Sequence, residues 1–212
     1  MRFNGQAAQD YFVRKATGEK RGGTFVEIGS NHPVKINNSI RLETDLGWRG
    51  IMVEYDPDYL PLYKDYRPTA HHIIADATTV DFAKEFRTAA MPKDIDYLQI
   101  DLEVSNKSTI QTLINLDEQV MDIYRFAVVT FEHDIYGGDY FNTRQHSRDI
   151  FAKRGYLRVF SDISNDNCPY EDWYVQPDLV DMDLITAIQK PTTESLDWMQ
   201  VVKRIDTYLG IE

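Results

Sequence analysis

Seven side chains able to carry a charge or a proton stand within or just after short apolar runs in this 212-residue chain: Glu27, Glu54, Asp76, Asp101, Glu132, His133 and Asp134. A carboxylate so placed accepts protons from hydroxyl and amino groups or stabilises a nearby cation. A histidine there can take a proton from a hydroxyl near neutral pH. Polar groups at the end of a buried strand are costly unless used or solvated. Glu132-His133-Asp134, directly after Phe126-Ala127-Val128-Val129-Thr130-Phe131, therefore asks for a role. Asp101 and His133 are the candidate catalytic pair. Capping the next helix is the structural alternative for Asp101, and also for Asp76. Asp101, Glu132 and His133 would also suit a divalent cation with a substrate oxygen, but no spacing motif marks such a site and no metal is expected.

The element that must position these groups runs from Thr24 to Pro57. Phe25, Val26 and Ile28 end on Gly29, a polar loop follows from Ser30 to Asn37, Asn38 to Leu46 suits a short helix stopped by Gly47, and Ile51 to Val53 closes on Glu54. Strand, glycine turn, helix and strand make a βαβ crossover of about 30 residues. Its ligand belongs beyond the carboxyl ends of the strands, beside Ser30, Asn31 and Tyr55. Gly29 would let backbone approach that ligand, and Glu54 would accept the hydroxyl protons of a ribose. A dinucleotide needs G-x-G-x-x-G to bring helix amides to its pyrophosphate. Here Gly29 is followed by Ser30-Asn31-His32-Pro33, with no second glycine and one amide lost to proline. S-adenosyl-L-methionine fits better, because Glu27 would favour the ammonium and sulfonium of its methionyl end. Asp76 would take the adenine amino group, and the Ala77 amide would reach a ring nitrogen.

FVEIGSN, NNSIRLE and GWRGIMVEYDPDY together resemble the methyltransferase domain of the FkbM family. The resemblance runs from Gln9-Asp10-Tyr11-Phe12 to Trp173-Tyr174-Val175-Gln176-Pro177. It implies a class I S-adenosylmethionine-dependent fold and O-methylation, often of a sugar or glycan. It sets Asp101 next to the transferred methyl and matches Glu132-His133 to an E-H segment of the family. Two positions depart from the pattern: Pro33 and Val104 stand where relatives carry glycine. The expected architecture is α/β, a Rossmann-like three-layer sandwich with a mostly parallel seven-stranded sheet and an antiparallel hairpin strand. One domain is expected, with an N-terminal helix in 1–23, the core in 24–180 and an extension with an amphipathic helix in 181–212.

The rest of the chain supplies the remaining layers. Residues 5–17 suit a helix that packs over the sheet edge, or that covers the cofactor through Gln9, Asp10 and Tyr11. His71 to Asp76 and Asp96 to Asp101 read as the third and fourth strands. Ile135 to Phe141 is an aromatic loop with a glycine pair, suited to closing over a sugar face. Tyr156 to Phe160 and Trp173 to Val175 read as a late hairpin around an irregular loop, Ser161 to Glu171. Asn165, Asp166, Asn167 and Asp172 would meet a polar substrate there or serve as turn residues. Leu196, Met199, Val202, Ile205 and Leu209 follow helical spacing. That face either packs on the sheet or meets a second copy of the chain. The net charge of −11 disfavours nucleic acid. No apolar stretch is long enough for a membrane span, and one cysteine with no apolar leader fits the cytoplasm. A small-molecule or glycan acceptor is the expected partner. A non-catalytic adenosyl-binding module and, more distantly, a nicotinamide-dependent oxidoreductase are the alternatives.

Overall fold

The apolar runs become an eight-stranded sheet in the computed structural model, which describes residues 2–189 and 195–211. The strands are β1 (Thr24–Ile28), β2 (Arg49–Glu54), β3 (His71–Ile74), β4 (Asp94–Ile100), β5 (Arg125–Glu132), β6 (Leu157–Asn165), β7 (Cys168–Val175) and β8 (Ser195–Asp197). Their order across the sheet is β3-β2-β1-β4-β5-β7-β6-β8. From β3 to β5 all pairings are parallel, β7 is antiparallel to both neighbours, and β8 lies parallel to β6.

Among the described residues eight α-helices flank the sheet: α1 (Gln9–Ala16), α2 (Ile40–Leu46), α3 (Leu60–Tyr66), α4 (Phe82–Thr88), α5 (Ser108–Gln119), α6 (Thr143–Lys153), α7 (Met182–Ile188) and α8 (Trp198–Leu209). One face buries Phe12 of α1, Leu42 and Leu46 of α2, Tyr63 of α3, Ile185 of α7 and Ile205 of α8 against Phe25, Tyr97 and Trp173. The other buries Phe82 and Phe86 of α4, Leu113 and Leu116 of α5 and Phe151 of α6 against Val26, Leu98 and Val129. Strands covered on both faces read as continuous apolar runs, as β1 and β5 do. No helix among the described residues is long and apolar enough to cross a membrane.

Three expectations change. The sheet has eight strands rather than seven, because Ser195–Asp197 pairs with β6. The C-terminal helix begins at Trp198, where the Asp197 carboxylate accepts from Met199 N and closes a capping box with Gln200. Leu196 and Ile205 are buried as the spacing expects and Val202 packs on the core in part, but Val201 is buried beside them and Met199 and Leu209 are 59% and 41% exposed. Of the stretch 191–209, over which the amphipathic helix is expected, residues 191–194 lie outside the described residues. The hairpin strands also continue through the segment expected to be an irregular loop, with register shifts in β6 between Arg158 and Ser164. Asp166 and Asn167, with φ of 51° and 63°, form its two-residue turn, the geometry that matches strand twist. Asn165, Asp166 and Asn167 are thus turn residues, Cys168 sits half-buried directly after them, and Asp172 is fully buried.

Strand order reverses between β1 and β4, which leave the sheet on either side of one crevice. In open α/β sheets the ligand site lies outside the carboxyl ends of the strands at that point.

Candidate functional site

A two-lobed cleft opens at the reversal. Its first lobe, about 570 Å³, is lined by Glu27, Gly29, Ser30, Asn31, Asn38, Glu54, Gln99 and Asp101, with Gln6 from the N-terminal segment. The second, about 480 Å³, is lined by Glu54, Tyr55, Asp76, Ala77, Leu102 and Glu103. Glu54, Leu102 and Glu103 border both lobes. The volumes fall in the range of small-molecule sites.

Gly29 is required here by its neighbour strand. Its φ is +83°, and a Cβ would come 1.8 Å from the Asp101 carbonyl oxygen. The loop after it is held by its own groups. Gly29 N and Ser30 N donate to Val53 O, Asn31 N to Glu54 Oε2, His32 N to Asn31 Oδ1, and Val34 N and Lys35 N to His32 Nδ1. With Pro33 lacking an N–H, every amide from residue 29 to residue 35 is spent, and none points at the cleft to cradle a pyrophosphate.

Beneath this loop sits Arg67, whose side chain is fully buried. Its guanidinium donates to Glu43 Oε2 at 2.6 Å, Pro33 O at 3.1 Å, Asn37 Oδ1 at 2.9 Å and Ser39 Oγ at 2.7 Å. Glu43, which sequence alone presents as a solvated charge, is its ion-pair partner. Asn37 caps α2 by accepting from Ser39 N and Ile40 N, and also donates to Glu27 Oε2 at 3.0 Å. Glu27 is buried at the floor of the first lobe; burial raises its pKa, opposed by the charge of Arg67. Two acceptors in this lobe have no donor: Asn38 Oδ1 and Gln99 Oε1.

Glu54 already accepts three backbone N–H groups, from Asn31 at 2.7 Å, Tyr55 at 2.8 Å and Asp56 at 3.0 Å. A carboxylate offers about four acceptor sites, so little capacity remains for a ribose diol unless the loop shifts. In the second lobe Asp76 Oδ1 caps the turn Ala77–Thr79 by accepting from Thr78 N and Thr78 Oγ1. α4 has its own cap, Asp81.

Asp101 stands at the inner edge of the first lobe, where its Oδ2 accepts from Gln99 Nε2 at 3.1 Å. Glu132 is beside it. Burial, then the Asp101 charge, push the Glu132 carboxyl far above the carboxylate range. The structure does not bring His133 to the cleft. Its side chain is fully buried, Nδ1 accepts from Ile135 N at 3.3 Å, and Nε2 lies 3.4 Å from both Asp162 Oδ1 and Asp172 Oδ1. The reason is local: His133 follows Glu132, so alternation turns its side chain to the opposite face, the one that Asp172 of β7 shares, and His133 N and Asp134 N both donate to Tyr170 O there. His133 therefore joins neither Asp101 nor Glu132 around a cation.

The group His133, Asp162 and Asp172 has its ligand atoms within 4.8 Å of one another. It does not suit a metal, because Arg148 donates to both carboxylates and Arg144 to Asp162. Burial alone would raise the Asp172 carboxyl, but His133 and Arg148 outweigh it and hold it well below the usual range. Gln9, Asp10 and Tyr11 do not cover the cleft either. Gln9 donates to Glu171 Oε1 at 2.9 Å, Asp10 accepts from Asn4 N at 2.7 Å, and Tyr11 donates to Asp206 Oδ1 at 2.6 Å.

No protein-family model matches the chain, and no curated protein matches it. Solved structures do resemble it. The S-adenosylmethionine-bound amino pentose methyltransferase CalS10 from Micromonospora echinaspora superposes with a TM-score of 0.56 at 11% identity over 81% of this chain and 90% of its own. A TehB-like S-adenosylmethionine-dependent methyltransferase from Corynebacterium glutamicum gives 0.50 at 12% identity over 79% and 87%. A protein of the NADB-Rossmann superfamily from Streptococcus agalactiae gives 0.51 at 13% identity over 79% and 67%. The fold is the Rossmann-like α/β methyltransferase fold, with an eighth strand added.

Proposed function

We propose that the protein is an S-adenosyl-L-methionine-dependent methyltransferase acting on a hydroxyl of a small polar acceptor such as a sugar or glycan. One observation carries this reading: at the strand-order reversal the cleft offers acceptors and carboxylates, while its loop amides are spent. A methionyl end with two positive centres suits Glu27, Asp101 and Asn38 Oδ1. A pyrophosphate finds no free amide of the glycine loop there, which argues against a nicotinamide dinucleotide. The second lobe suits an adenine, with Asp76 and the Ala77 amide at its rim. Glu54 joins the two lobes where a ribose would lie, and Ser30, Asn31 and Tyr55 flank it.

The bound cofactor supplies an electrophilic methyl group. The chain supplies alignment, worth up to roughly 7–11 kcal/mol in good cases, and Asp101 takes the proton that the acceptor hydroxyl loses. The likeness to CalS10 supports a small acceptor, and the FkbM resemblance supports transfer to oxygen. The acidic surface disfavours nucleic acid, and the single cysteine suits a cytoplasmic protein. Calorimetry tests the reading: S-adenosylhomocysteine should bind and NAD should not. The opposite pattern overturns it.

A further inference from the structure

Across β4, β5 and β7 three carboxyl groups stand in a row. Ile100 pairs with Phe131, which sets Asp101 beside Glu132, and Glu132 is in register with Glu171. Asp134 follows two residues on, and Glu103 borders the cleft nearby. Neighbouring strands lie about 4.8 Å apart, a separation at which like charges disfavour joint ionisation. Burial and mutual repulsion accordingly raise Glu132 and Asp134, and push Glu171 up to about 8. Two other buried acids are matched with cations, Asp172 with Arg148 and Glu43 with Arg67. The row has no such match: no ion pair among the described residues includes Asp101, Glu103, Glu132, Asp134 or Glu171.

Two independent features point to what is missing. Gln99 is 4% exposed and lines the cleft; its Nε2 is committed to Asp101, so Oε1 is left as a buried acceptor without a donor. Beyond Asp134 the ring of Tyr136 is 56% exposed, and the nearby acids, Asp134 first, raise its phenol. An aromatic face beside carboxylates attracts cations. The same loop already shows this, with Lys107 Nζ 4.5 Å from the Phe141 ring centroid. A metal ion fits less well. Among the described residues only His133, Asp162 and Asp172 bring ligand atoms within 4.8 Å of one another, so the row does not converge to a coordination shell. An alkylammonium, with three donors at about 2.8 Å, spans a wider set.

We propose that the acceptor carries a protonated amine, held at the inner edge of the cleft by Asp101 and Glu132 between Gln99 Oε1 and Asp134. Naming this ligand as the acceptor rests on the methyltransferase reading; the recognition chemistry rests on the residues alone. On binding, the ammonium takes the place of the proton that Glu132 retains, and that proton leaves to solvent.

The test uses the full chain saturated with S-adenosylhomocysteine and probes that exchange a hydroxyl for an amine: glucosamine against glucose, and ethanolamine against ethylene glycol. Ligand-observed NMR should show the amine binding about ten-fold tighter in at least one pair. That preference should vanish in the isosteric variants Glu132→Gln and Asp134→Asn, with thermal melts confirming that both fold. Equal affinity within both pairs overturns the proposal, as does a preference unchanged in both variants. Magnesium ion binding alone that Glu132→Gln abolishes also overturns it, in favour of a metal. Failure to bind S-adenosylhomocysteine counts against the methyltransferase reading instead; the same amine titration on the ligand-free chain then decides the amine site by itself.

Discussion

Replacing Arg67 by methionine tests the idea that one buried cation organises the cleft loop. The guanidinium, fully buried, makes four hydrogen bonds that tie Pro33, Asn37, Ser39 and Glu43 together. Methionine keeps much of the volume, so packing changes little. What is lost is the charge that faces Glu43 and Glu27, and removing one partner of a buried pair costs about 3–5 kcal/mol. The pH dependence has a defined sign. The Glu27 carboxyl is raised by burial and held back by Arg67. An acid raised in the fold retains its proton where the unfolded chain has released it, so stability falls as pH rises above the ordinary carboxylate range. Without Arg67 the Glu27 carboxyl rises further, so the deficit should be larger at about pH 8 than at about pH 5. Urea unfolding at the two pH values reads this directly. A loss under about 1 kcal/mol, or a deficit that shrinks with rising pH, refutes the reasoning.

Gly29→Ala should cost about 2–4 kcal/mol, because a Cβ at positive φ also meets the Asp101 backbone; chemical denaturation measures it. Glu171, pushed up to about 8 by burial, contributes stability that is lost as pH rises from the carboxylate range through about 8. Glu171→Gln should flatten that part of a melting-temperature profile. Ile205→Ala, at a fully buried site on α8, should cost about 2–5 kcal/mol in unfolding. His133→Gln should lower stability by about 1–3 kcal/mol through its buried contacts while leaving the shape of the pH–rate profile intact. A lost limb would return the base role to the histidine.

The βαβ unit was legible because each of its parts is local: an apolar run, a glycine, a short helix stopped by a second glycine and a second run. The same locality put Glu27, Gly29, Ser30, Asn31, Glu54, Tyr55, Asp76, Ala77 and Asp101 at one edge of the sheet, where all nine line the cleft. Pairings distant in sequence were not legible. Arg67 meets Glu43 across 24 positions, and nothing local to either residue marks the contact. His133 was misplaced although alternation puts it on the face of β5 opposite Glu132; its partner there, Asp172 of β7, is distant in sequence. Gln99 could have been found, since it lies two positions before Asp101 and so on the same face of β4. The buried stripe of α8 was legible in part: Ile205 is buried as its spacing expects, but Val201 rather than Met199 joins it in the core.

The hairpin turn has a practical use. Cys168 is the one cysteine in the sequence, it follows the turn directly, and it lies close enough to Tyr136 to affect the ionisation of the phenol. A maleimide fluorophore or a nitroxide would therefore attach at a single position, with no engineering, beside the aromatic loop. Its emission or line shape, followed as amines are added, would show whether that loop moves and how fast.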